Sequence, residues 1–385
     1  MTLPALPAPR WIDTPASLDE LVRELSRHTR LAVDTESNSL YAYRERVCLI
    51  QISTTECDCL IDPLALDDLS PLGPVFSDAA REKVFHAAEY DLICLRRDFK
   101  FSVVNLFDTM QAARILGYTQ VGLDSMLKEK SGIVLNKKYQ KADWGQRPLS
   151  SEMLSYARLD THHLLELRDC LAAELETRRL QALAEEEFLR LSRGNGSPKA
   201  ELPAWQRVSG ASKLDGRQLA ILQELCNWRE DRAALMDRPT FKVLDDRHLV
   251  LLAEDPPRTL DDLDRLNFTP RQVHLYGRQL LEAVARGKRS TPLERPRPAR
   301  PPEVYLRRLD LLAEWRKSVA QKNKLESDIV LPKTWMQAIA EKNPCSLQEL
   351  APLMPDSPWR LEHYGRLILK ELEKAAGKKR SGGRQ

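Results

Sequence analysis

The apolar positions of this 385-residue chain change their spacing near residue 200, and the two halves predict different architectures. In the first half, short apolar runs bounded by polar or proline residues predict strands over 31–37 (LAVDTES), 47–54 (VCLIQIST), 57–63 (CDCLIDP) and 83–88 (KVFHAA). The first three follow one another closely enough to form a meander. Leu18, Leu21, Val22 and Leu25 share one face of a predicted helix over 17–27, with Ser17 as N-cap and Glu20 completing a capping box. A loop and a helix are expected after Pro63. Residues 89–95 predict a helix directly after a strand, 105–116 a short strand and a helix capped at Asp108-Thr109, and 150–165 an amphipathic helix opened by serines. Strands alternating with helices predict a mixed α/β sheet.

Past a linker beginning Arg193-Gly194-Asn195-Gly196, the chain becomes helical and repetitive. Leu219, Leu222, Leu225 and Trp228 recur as Leu306, Leu309, Leu312 and Trp315, a shift of 315 − 228 = 87. The same shift maps Arg229 on Arg316, Val243-Leu244 on Val330-Leu331 and Pro257 on Pro344, and Tyr276-Gly277 matches Tyr364-Gly365 at 88. Two copies of one small helical domain follow, each with its Leu/Trp stripe as core. The expected boundaries are a first domain over 1–192, a linker over 193–212, the copies over 213–287 and 302–377, a basic Pro-rich spacer over 288–301, and a disordered basic tail over 378–385.

Composition narrows the function classes. Lys plus Arg at 59 against Asp plus Glu at 56 leaves +3, so any nucleic-acid surface must be local. A hydrophobic fraction of 42% with 30% charged residues suits a soluble globular protein. No apolar run approaches the ~20 residues of a membrane span, and MTLPALPAPRW predicts no signal peptide. The seven cysteines are scattered and only Cys57 and Cys59 are close, a poor zinc set, so reduced thiols and a cytoplasmic location are expected.

The candidate chemistry begins at Asp34 and Glu36. Residues two apart on a strand point to one face, so these carboxylates project together, and a divalent cation such as Mg²⁺ or Mn²⁺ relieves their repulsion. Asp91 falls near the start of a helix. Tyr156 and Asp160, four apart, share a helix face, whereas Arg158, His162 and His163 fall elsewhere and read as a solvated surface.

In order, Asp34-x-Glu36, His86-x-x-x-Tyr90-Asp91-Leu92 and Tyr156-x-x-x-Asp160 resemble the three motifs of DEDD-family 3′→5′ exonucleases of the tyrosine subtype; the histidine subtype has His where this chain has Ser155. The flanking runs over 48–52, 143–149 and 156–157 are similar to the ribonuclease D family, and the Leu-x-x-Leu-x-x-Trp-Arg repeat resembles the HRDC domain, which that family carries twice. The resemblance implies an α/β ribonuclease H-like exonuclease domain, a mixed sheet flanked by helices, followed by two small all-α HRDC-like domains. It implies that Asp34, Glu36, Asp91 and Asp160 hold two divalent metal ions, Mg²⁺ or Mn²⁺, that Tyr156 orients the attacking water, and that nucleoside 5′-monophosphates are released. The implied partner is RNA, as tRNA precursors and other structured 3′ ends; no membrane partner is expected, and no residue indicates an oligomer, so a monomer is expected. Thr35, Gln51, His86, Lys138, Trp144 and Arg147 are the candidate substrate contacts, with Lys137, Lys138 and Lys141 forming a basic loop beside the phosphates. The alternatives are an exonuclease acting on DNA and a catalytically dead nucleic-acid-binding scaffold. The twin helical modules without a P-loop favour RNA, and the complete carboxylate set disfavours the scaffold.

Overall fold

The strand Val47–Ser53 is buried at all seven positions, as a strand covered on both faces must be. It lies inside the six-stranded sheet of a computed structural model that describes residues 6–194, 202–295 and 300–377. The expected basic tail and the middle of both linkers lie outside the described residues. In chain order the strands are β1 (Arg10–Ile12), β2 (Arg30–Ser37), β3 (Val47–Ser53), β4 (Asp58–Ile61), β5 (Glu82–Phe85) and β6 (Leu106–Asp108), arranged β1-β4-β3-β2-β5-β6. β2, β5 and β6 run parallel, β3 and β4 antiparallel, and β1 pairs with β4 in parallel. The mixed sheet and the adjacency of β2, β3 and β4 are as expected. β1 is an addition: three residues are too few to show a period.

Alternation along β3 and β4 serves two cores. Ile50, Ile52, Cys59 and Ile61 join the main cluster, while Leu49 and Leu60 pack with Trp144, Met153 and Ala157 beneath the helix Ser151–His162. The first helix, Pro15–Leu25, begins earlier than its apolar stripe predicts. Thr14 caps it and Ser17 closes the capping box, because Pro15 at N1 has its φ already set for the helix. The expected helix over 150–165 breaks at His163, and a new helix runs Leu164–Thr177.

The chain divides into two compact units, one holding residues up to 36, 47–194 and 300–377, the other holding 37–46 and 202–295. In the second unit, the helices Gly216–Met236 and Pro270–Arg289 approach so closely that a Cβ on Gly287 would lie 2.4 Å from the Ile221 Cα. Half of the expected linker over 193–212 belongs to this core: Trp205, Val208 and Ala211 are buried in it, as apolar side chains dictate. The spacer over 288–301 is likewise folded where described. Arg289 ends the last helix, Leu293 donates its N–H to the Gly216 carbonyl (2.8 Å), and Arg295 reaches the Ala211 carbonyl (2.5 Å).

The second helical copy, from Glu303–Asn323 to Pro358–Gly377, packs within the first unit, and its Ile329 joins the core beneath the sheet. The two copies begin their last helix differently. In the first, Thr269 and Gln272 form a capping box. In the second, the equivalent positions are Ser357 and Arg360 (357 − 269 = 360 − 272 = 88), and the first-turn amides of Trp359 and Arg360 donate to Glu186 of the helix Gln181–Arg193.

Candidate active site

β2 carries Asp34 and Glu36 to its carboxyl end, beside β3. The helix Ser151–His162, capped by Ser150, crosses β3 and β4 and brings Tyr156 and Asp160 to the same place. Carboxylate oxygens of Asp34, Glu36 and Asp160 all lie within 4.8 Å of one another. Asp91, in the first turn of the helix Glu89–Phe99, stands outside this trio, and its carboxylate accepts from the Thr35 hydroxyl (2.5 Å).

The electrostatics are those of an uncompensated acidic cluster. Burial first, and then the charges of Asp91, Asp160 and Glu36, hold the Asp34 carboxyl well above the usual range. Glu36 is raised by burial, then by Asp160 and Asp91. Burial pushes Asp91 and Asp160 each up to about 7. Among the described residues, no arginine, lysine or histidine forms an ion pair with any of the four. An all-oxygen, all-anionic donor set with no protein counter-charge fits a hard divalent cation. Tyr156 is raised by burial and then by Asp160, Glu36 and Asp34, so its phenol stays protonated and acts as a hydrogen-bond donor.

The other candidate residues fall into three groups. Thr35 and Gln51 serve the carboxylates: Thr35 meets Asp91, and the fully buried Gln51 points its Nε2 at Asp34 (3.4 Å). His86, Trp144 and Arg147 are each held by partners within the protein. His86 bonds Thr109 through Nδ1 (2.9 Å), and burial lowers it to about 4, so it is neutral. Trp144 is 1% exposed and packs under β3. Arg147 is spent on Asp62 (2.5 Å) and the Cys48 carbonyl (2.7 Å), a clamp that folds the loop down over Trp144. Lys138 is the one that lines a cavity of about 360 Å³ with Tyr139, Tyr156, Leu159 and Asp160, whereas Lys137 pairs with Asp124 (2.9 Å).

Tyr139 escaped the sequence reading although its signal, an aromatic residue inside a lysine run, was present; its ring meets that of Tyr156 edge-on at 5.9 Å. The expected solvated face of Arg158 and His162 is instead a partly buried ion cluster, in which both pair with Asp58 (2.8 and 2.9 Å). The Asp58 carboxylate is the shared partner that draws them in.

Residues 9–176 match the family described as 3'-5' exonuclease, and residues 218–284 and 306–372 each match the HRDC domain. The chain is 33% identical over 379 residues to ribonuclease D of Pseudomonas paraeruginosa, covering 96% of this chain and 99% of that protein. The chain belongs to the ribonuclease D family. The family's fold is also seen in the crystal structure of Escherichia coli RNase D, described as an exoribonuclease involved in structured RNA processing. It superposes with a TM-score of 0.69 at 25% identity, covering 95% of this chain and 99% of that one. Protein RRP6-like 3 of Arabidopsis thaliana is 36% identical over 278 residues, which are 66% of this chain and only 31% of that longer protein. The chain is thus an exonuclease of the ribonuclease D type with two HRDC domains. Exonucleases of this family use divalent metals, and the acidic cluster suits them. No helix among the described residues is long and apolar enough to cross a membrane.

Proposed function

We propose that this protein is a metal-dependent 3′→5′ exoribonuclease that trims the 3′ ends of tRNA precursors and other structured RNAs, releasing nucleoside 5′-monophosphates as a cytoplasmic monomer. The convergence of Asp34, Glu36 and Asp160 within 4.8 Å, beside Tyr156 and an open cavity, carries this reading. Asp34, Glu36, Asp91 and Asp160 are the residues that hold the metal. Divalent ions held there would supply charge neutralisation for phosphodiester hydrolysis and activate a water.

The chain's own groups do the rest. Tyr156, kept protonated by its anionic neighbours, donates a hydrogen bond that orients the attacking water. Thr35 and Gln51 hold Asp91 and Asp34 in place. The cavity beside Asp160 takes the 3′-terminal nucleotide, with Tyr139 and Leu159 as apolar walls and the exposed Lys138 ammonium beside the phosphates. RNA is favoured over DNA by the near full-length match to ribonuclease D and by the two HRDC domains.

A 5′-labelled tRNA precursor with a 3′ trailer and a matched single-stranded DNA, digested side by side with chromatography of the released nucleotides, test this. Faster trimming of the RNA to nucleoside 5′-monophosphates is expected. Preferential shortening of the DNA, or release of nucleoside 3′-monophosphates, overturns it.

A further inference from the structure

The turn that leads to Asp91 is braced by a residue outside the acidic cluster. β5 ends at Phe85, and Ala87 then adopts the left-handed conformation (φ 64°), which L side chains rarely take. The helix Glu89–Phe99 that follows has no side-chain cap of its own. Asp108, paired with Phe85 in the parallel ladder and fully buried, closes this gap from the neighbouring strand. Its Oδ1 accepts from the Ala87 N–H (3.1 Å) and its Oδ2 from the Ala88 N–H (2.8 Å).

The same carboxylate caps the helix Thr109–Ile115 through the amides of Met110 (2.9 Å) and Gln111 (3.1 Å). The last two bonds are all that a helix cap requires. The bonds to Ala87 and Ala88 are therefore additional, and only a carboxylate offers enough acceptor capacity for all four. Thr109 extends the brace. Its hydroxyl donates to the Phe85 carbonyl (3.0 Å) and so must accept the Nδ1–H of His86.

We infer that Asp108 is a positioning residue for the metal centre: through the amides of Ala87 and Ala88 it holds the first turn of the helix Glu89–Phe99, and with it the Asp91 carboxylate, where a divalent ion can be bound. The inference rests on the reading of Asp91 as a metal ligand. Thr35 fixes the Asp91 carboxylate from β2, and Asp108 fixes the backbone that carries it.

Mn²⁺ binding to the full chain, measured by electron paramagnetic resonance without RNA, tests this. Asp108→Asn keeps the side-chain size but turns one acceptor into a donor facing an N–H. Its Mn²⁺ affinity is expected to fall roughly 10–100-fold, as for other residues that support a ligand from behind, with unchanged far-ultraviolet circular dichroism. Adding Ala87→Gly restores part of the affinity, because glycine takes the left-handed turn without a brace. Wild-type Mn²⁺ affinity in Asp108→Asn, with only a lower melting temperature, overturns the inference and leaves Asp108 as a helix cap.

If Asp108→Asn fails to fold, Ala87→Val carries the test, since a β-branched residue resists the left-handed turn while Asp108 stays intact. Weakened Mn²⁺ binding then supports the inference and wild-type binding overturns it. Asp91→Asn separates the two levels. Wild-type affinity there removes the ligand reading and this inference together, while weakened affinity there beside wild-type affinity in Asp108→Asn removes this inference alone.

Discussion

Glu186 and Glu187, with side chains 4% and 2% exposed, meet the wholly buried Arg360, which bonds one with Nη1 (3.0 Å) and the other with Nη2 (2.9 Å). Asp34, Glu36 and Asp160 gather within 4.8 Å in the same compact unit and, among the described residues, pair with no cation. In the first cluster the protein supplies the counter-charge, Arg360 from the second HRDC domain and Arg190 beside Glu187 on its own helix, and burial of Glu186 is opposed by Arg360. In the second it supplies only further carboxylates. A buried acidic group already paired to arginine is part of the fold's structure, whereas one left unpaired at a strand end is open to a ligand that arrives from solution.

The contrast can be broken at either cluster. Asp160→Asn is expected to reduce hydrolysis of RNA to background while the chain stays folded, measured as initial rate beside circular dichroism. Arg360→Ala is expected to leave the buried Glu186 carboxylate without a side-chain cation, Glu187 keeping Arg190, and to cost about 3–5 kcal/mol in urea unfolding. Arg360→Met combined with Glu186→Gln recovers much of that loss, since Glu187 keeps Arg190 and no unpaired buried carboxylate remains.

A smaller effect tests the unpaired cluster without substrate. Asp91 and Asp160 are pushed up to about 7, above the ordinary value of about 3.9 that applies in the unfolded chain. The folded state therefore binds more protons between those values. The stability these carboxyls contribute is full below about pH 4 and is lost as pH rises through about 7. The metal-free melting temperature is expected to fall between pH 6 and 8, Mg²⁺ to raise it more at pH 8 than at pH 6, and Asp160→Asn to flatten the slope. The smallest effect concerns the first HRDC copy, which closes its last helix from within: Thr269→Ala is expected to cost about 1 kcal/mol.

The two clusters also differ in what the sequence discloses. Asp34 and Glu36 announce a shared face through the strand period, and Tyr156 and Asp160 do so through the helix period, because each relation is local. The pairing of Arg360 with Glu186 spans 174 residues, and no periodicity encodes it. A trace is visible only between the copies, where Gln272 of a self-contained capping box is replaced by Arg360. The partners of Trp144 and Arg147 are hidden from local pattern for a related reason. Both residues lie in a polar loop, and only the distant Asp62 and the Cys48 carbonyl turn that loop inward. The sheet, the helices and the clustered carboxylates follow from local pattern, while the supports beneath them follow from partners far along the chain.

The most direct measurement is a time course on a 5′-labelled RNA with Mg²⁺, with Mn²⁺ and with EDTA, run for the wild type and for Asp34→Ala/Asp160→Ala. Stepwise shortening from the 3′ end that requires the metal and vanishes in the folded double variant is the predicted result. Shortening that persists in EDTA, or in the double variant, contradicts the assignment of the unpaired acidic cluster as the catalytic centre.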